Sequence, residues 1–189
     1  MVQRQLVKDH IRQSILDAAA ELLIARGDSA IMADLADAAG IGRATLYRYF
    51  STREELLSAL AQAAIDDASA RLDAADLDHA PVAEALARIF RAILACGAKF
   101  EFIRTEHEHM HMDKEDVDRR IGEPIRAVLR RGMEDGTLRS DLPLEVLSNL
   151  CGGLILGAFR SLPFLENGVE RVSAVATETL LKGLTAVSE

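Results

Sequence analysis

The sequence predicts an all-α protein: an N-terminal three-helix unit with a helix-turn-helix, then a larger helical unit, about nine helices in all. Three observations carry this. Ala, Leu, Glu and Arg are abundant, and no Val/Ile/Thr-rich alternating run reads as a strand. Apolar residues recur at helical spacing along most of the chain. Two short helical segments flank a glycine-centred turn near Gly40, the arrangement a helix-turn-helix requires.

The elements follow in order. Ile11, Ile15, Ala18 and Leu22 fall on one helical stripe that ends near Gly27. A short helix spans about Met32 to Ala39 and stops at Gly40; a second runs from about Arg43 to Tyr49. Glu54 and Glu55 stand three residues after Ser51 and Thr52, a double capping-box pattern opening a helix that reaches about Ala75. After a polar break, helices are expected over 81–97, 100–112, 115–135, 143–162 and 167–186. The turn-rich connection 136–143 ends on a proline suited to a helix start.

At 189 residues the chain is long enough for one domain, or a small one joined to a larger one, with a sizeable core. The division expected is 1–52 and 53–189. A net charge of -8 excludes a uniformly basic nucleic-acid coat but not a local basic face. Residues 1–57 carry 7 Lys/Arg against 8 Asp/Glu, so nearly all the acidity lies beyond them. Two cysteines are too few for a disulfide scaffold, and a reducing, cytoplasmic setting is expected. Met1 to Arg12 is polar, without a signal segment. The apolar run Leu150 to Phe159 is too short and Gly-rich to span a bilayer, so no membrane partner is expected.

The segment from Leu35 to Phe50 is the most informative. Ala36 is small where two helices cross, Gly40 can take a positive φ at the turn, and Ile41, Leu46 and Phe50 are spaced to hold the second helix. Its other face presents Arg43, Ala44, Thr45, Tyr47, Arg48 and Tyr49. Arginine pairs with guanine edges or phosphates, threonine offers a hydroxyl and a methyl, and tyrosine hydroxyls reach phosphates. No acid interrupts Arg43, Arg48 and Arg53. An ordinary solvated helix is the bland alternative; exposed tyrosines interleaved with arginine weigh against it.

The stretch Ile15 to Leu57 resembles the DNA-binding domain of the TetR family of bacterial transcriptional regulators. The matching residues are Ile15-Leu16-Asp17-Ala18-Ala19, Gly27, Leu35-Ala36, Ala39-Gly40-Ile41, Ala44-Thr45-Leu46-Tyr47-Arg48-Tyr49-Phe50 and Arg53-Glu54-Glu55-Leu56-Leu57. The resemblance implies that Arg43, Ala44 and Thr45 face base edges. It implies that Tyr47, Tyr49 and Arg53 contact phosphates, and that an arm with Arg4, Lys8 and Arg12 adds contacts. Two positions depart from the family. Ile31 stands where threonine is usual and cannot cap the second helix, which leaves Ser29 or water to serve; Gly42 stands where serine is common. The implied function is a ligand-responsive repressor on a double-stranded DNA operator.

One short recognition helix reads only a few base pairs, so a homodimer on a near-palindromic operator is expected. The last two helices would supply the interface. Leu147, Leu150, Leu154, Phe159 and Leu162 give apolar area, Gly152, Gly153 and Gly157 allow close approach, and Val172 and Ala176 come from the final helix. The competing reading is that these residues are core. The resemblance also implies a small-molecule effector pocket in the middle helices, where Phe90, Leu94, Phe102, Ile103, His107 and Met110 are candidates.

His107 and His111 lie at i, i+4, a spacing that lets two imidazoles share a metal. No second His/Cys cluster in the sequence completes such a site, so no metal and no cofactor is expected. The rival function is a metal- or ligand-binding helical protein, or a metal-dependent enzyme, that uses this pair with the helix-turn-helix inactive. The sequence has no HExxH, phosphate-binding glycine loop or nucleophile elbow, and no enzymatic activity is expected.

Overall fold

A computed structural model of the chain describes residues 2–26, 29–97 and 113–184. Among these every regular element is a helix: α1 (Val2–Arg26), α2 (Met32–Ala38), α3 (Arg43–Tyr49), α4 (Arg53–Asp73), α5 (Val82–Leu94), α6 (Lys114–Val117), α7 (Glu123–Glu134), α8 (Leu144–Ser161) and α9 (Gly168–Leu184). The helix expected over 100–112 lies outside the described residues. The chain divides into two compact units, and the division falls inside α4 between Ala64 and Ile65.

In the first unit, Ile15, Leu16, Ala19, Ala20 and Leu23 of α1 meet Leu35 and Ala36 of α2, Leu46 and Phe50 at α3, and Leu56 and Leu60 of α4 in one core. The α1 stripe is rotated from the expected one. Ile11, Ala18 and Leu22 are only half-buried, because the core meets the line i, i+1, i+4, i+5, i+8 from Ile15.

The two departures at the helix starts resolve differently. Ile31 does precede α2 without a side-chain cap, but Asp34 reaches back and its Oδ2 accepts the Ile31 N–H at 3.1 Å. Ser29 does not serve α2; its hydroxyl donates to the Arg26 carbonyl at 2.7 Å and satisfies the end of α1 instead. At α4 the capping is split over two residues. Thr52 Oγ1 accepts the Glu55 N–H at 3.1 Å, while Glu55 Oε2 accepts the Ser51 N–H at 2.7 Å and the Ser51 hydroxyl at 2.8 Å.

In the second unit α5 is a central helix whose Leu86, Ile89, Phe90 and Leu94 are fully buried, and α7, α8 and α9 all pack against it. The single helix expected over 115–135 is interrupted by a π-turn at Asp118–Gly122, where the Glu123 N–H donates to the Asp118 carbonyl. Pro124 supplies the cause: it has no N–H to donate, and its ring would meet the carbonyl four residues back. Beyond α7, the Leu138 N–H donates to the Gly132 carbonyl and the Arg139 N–H to the Leu184 carbonyl, both at 2.7 Å.

The apolar run at α8 is longer than expected. By length and composition Leu144–Phe164, 21 residues, would be long enough to cross a membrane, yet only 28% of its apolar window is buried in the chain. The physical reason is that α8 is apolar on two sides. Leu147, Cys151, Ile155, Ala158 and Phe159 face the unit's own core, whereas Val146, Leu150 and Leu156 face out.

Candidate nucleic-acid interface

The turn between α2 and α3 is built from main-chain bonds. Gly40 adopts φ +65°, in the left-handed region where a Cβ is strained. The Gly40 N–H donates to the Asp37 carbonyl at 3.1 Å, and the Ile41 N–H to the Ala36 carbonyl at 3.0 Å. Gly42 then stands before α3 in extended conformation, its carbonyl accepting from the Thr45 and Leu46 N–H groups at 2.9 and 3.0 Å.

A seven-residue helix is too short to hold itself together, so its orientation comes from what it buries. Leu46 is fully buried, Phe50 closes the helix in the core, and the Phe50 N–H returns to the Leu46 carbonyl at 2.9 Å. Arg43, Ala44, Tyr47 and Arg48 are then exposed, Tyr47 at 51%. Thr45 and Tyr49 are more withdrawn than expected. Both are half-buried, and Tyr49 packs against the core because it lies three residues, nearly one turn, after Leu46. The Arg48 guanidinium carbon stands 5.7 Å from the centre of the Tyr49 ring.

Arg53, at the start of α4, is half-buried, and Lys8 is exposed on α1. One turn after Lys8, Arg12 is also exposed and lies beside the end of α3. Its guanidinium carbon lies 5.1 Å from the centre of the Phe50 ring. The Glu55 carboxyl is held below its ordinary value by hydrogen bonds from the Ser51 hydroxyl and N–H, with a smaller contribution from the Arg12 charge. This Arg12–Phe50 pairing was not anticipated. The signal for it in the sequence is the register of Arg12, at i, i+3, i+4, i+7 with Ile15, Leu16 and Ala19.

The other expected residues divide clearly. Phe90 and Leu94 are fully buried in the α5 core. Phe102, Ile103, His107 and Met110 lie outside the described residues, as does His111. Of the interface candidates, Leu147, Val172 and Ala176 are buried inside the chain's own core. Leu150 is 51% exposed, Leu154 is half-buried and Gly157 is exposed. A Cβ built on Gly152, Gly153 or Gly157 would meet nothing within 4 Å.

Residues 15–60 match the bacterial regulatory proteins of the tetR family. The HTH-type transcriptional repressor LfrR of Mycolicibacterium smegmatis is 38% identical over 99 residues, about half (52%) of each chain. The HTH-type transcriptional repressor KstR2 of Rhodococcus jostii is 30% identical over 145 residues, 71% of each. The crystal structure of LfrR in complex with proflavine superimposes with a TM-score of 0.73 at 27% identity, covering 94% of this chain and 99% of that one. The turn and the short pinned helix lie inside the matched segment, and the chain belongs to the TetR family of bacterial transcriptional regulators.

Proposed function

We propose that the protein is a repressor that binds a near-palindromic operator as a homodimer and leaves it when a small organic effector binds the larger unit. The observation that carries this reading is the division of α3: Leu46 and Phe50 locked in the core, and Arg43, Ala44, Tyr47 and Arg48 presented outward. An α-helix fits the major groove, where arginine reads guanine edges and tyrosine hydroxyls reach phosphates. In this reading Arg43 and Ala44 meet base edges with Thr45 at their flank, Tyr47, Tyr49 and Arg53 hold the backbone, and Arg48 and Lys8 add positive charge.

The outward apolar side of α8 supports a dimer. Val146, Leu150 and Leu156 are exposed beside three glycines with open space above them. A second copy of the same helix would cover that surface, and a dimer supplies the two α3 helices that half-sites about 34 Å apart on a near-palindromic operator require. Leu150, Leu154 and Gly157 form this face. The effector site lies in the second unit, against the apolar interior that Phe90 and Leu94 help to build; LfrR, with its bound proflavine, supports an organic occupant. The protein acts in the cytoplasm, on DNA, and not as a catalyst.

The test uses the DNA upstream of the protein's own coding region in a footprinting experiment, with protein-to-DNA stoichiometry measured on the protected fragment. Two protomers on a near-palindromic footprint are expected. A single protomer, or protection that moves freely along the fragment, would overturn the reading.

A further inference from the structure

We infer that Arg12 is a positioning residue for the recognition helix, acting through Phe50 rather than on DNA; this rests on the DNA-binding reading of α3. Three elements converge at this point. Phe50 ends α3, Ser51 and Glu55 start α4, and Arg12 comes from α1. Phe50 is one of the largest fully buried side chains, and the Arg12 guanidinium carbon stands 5.1 Å from its ring centre. That is within the range in which the ring quadrupole attracts a cation. Glu55 is held in place by the Ser51 N–H and hydroxyl and feels the Arg12 charge.

The physical need for such a clasp is specific to α3. The helix has seven residues, Gly42 gives it no side-chain cap, and its last turn ends at Phe50 in extended backbone. Its tilt therefore depends on contacts at the two buried residues. A cation near a helix C-terminus also complements the partial negative charge of the last carbonyls. Arg12 suits the position because its stem continues the α1 line through Ile15, Leu16 and Ala19 while its head stays at the surface. Lys8, one turn earlier and exposed, is by contrast placed to act only through its charge.

Arg12→Gln, Arg12→Lys and Lys8→Gln are compared by fluorescence anisotropy on two duplexes, the upstream fragment and one of shuffled sequence, each over a salt series. Arg12→Gln is expected to lower affinity for the upstream fragment about five- to tenfold. Its affinity for the shuffled duplex and the slope against salt should stay unchanged, so the ratio of specific to non-specific binding falls. Arg12→Lys should recover part of that ratio. Lys8→Gln should lower both affinities together and reduce the slope by about 0.9, the value of one lost phosphate contact. If Arg12→Gln instead loses that same slope, Arg12 is a phosphate contact and the inference is overturned. Unchanged binding overturns it as well. Wild-type protein that fails to prefer the upstream fragment counts against the regulator reading itself, a separate outcome. Circular dichroism at the assay temperature, expected to show the same helix content in every variant, excludes simple unfolding as the cause.

Discussion

Leu46 and Tyr47 are neighbours in the chain and face opposite ways: Leu46 is fully buried in the first unit, and Tyr47 is 51% exposed. Substitutions at the two should therefore separate folding from binding. Leu46→Ala removes a buried side chain from a small core and should cost about 2–5 kcal/mol, lowering the thermal midpoint and DNA affinity together. Tyr47→Ala should leave stability within about 0.5 kcal/mol while operator affinity drops. Denaturation monitored by circular dichroism, set beside anisotropy on the same samples, checks both.

The two glycines of the turn should respond with opposite signs. Gly40 has open space around it but a φ of +65°, so Gly40→Ala should destabilise by about 1–2 kcal/mol through backbone strain alone. Gly42 is extended and equally open, and Gly42→Ser gives α3 the cap it lacks. A gain of a few tenths of a kcal/mol is expected. Urea titrations at constant m-value would show midpoints moving apart.

Oligomeric state should depend on Leu150 and not on Leu147. Leu150→Glu places a charge on the outward face of α8 and should give a monomer with native helix content. Leu147→Ala opens a cavity inside the chain and should cost about 2–5 kcal/mol of stability without selecting for monomer. Light scattering on a sizing column distinguishes these results, and a dimer that survives Leu150→Glu would exclude this face of α8.

Acid should weaken the second unit at the π-turn. Hydrogen bonds from Arg126 hold Asp118 below 3.8 and, together with Arg130, hold Glu123 below 4.5. A carboxylate with a depressed native value stabilises the fold above its unfolded value, and the gain is lost as pH falls through the native one. The thermal midpoint should thus be flat near neutrality and decline from about pH 4.5 downward. Both carboxylates are exposed, so the decline is modest. Arg126→Gln should lower the midpoint near neutrality and flatten the acid slope; an identical slope in both proteins would remove this pair from the account.

Much of this was legible in the residues. The boundaries of α3 follow from Gly42 before Arg43 and the Tyr-Phe ending, and its buried side follows from the spacing of Leu46 and Phe50. Other features were not, for reasons of geometry. The register of α1 depends on which way the helix turns toward α2 and α4, which periodicity alone leaves open by about one residue. Asp34 caps α2 from inside the helix, a role that the loss of threonine at Ile31 hides. The split between inward Leu147 and outward Leu150 is invisible in a helix apolar on both sides. Pro124 signals a disturbance in the helix over 115–135, but not that a wider turn would absorb it.

The most direct measurement is fluorescence anisotropy of the protein with DNA from upstream of its own coding region, across several salt concentrations, with Arg43→Ala alongside. The account predicts saturable binding that outcompetes shuffled DNA and weakens steeply with salt. Arg43→Ala should lose about 1–3 kcal/mol of that preference. Equal binding of all sequences by both proteins, or no binding at low salt, would contradict a reading of bases by α3.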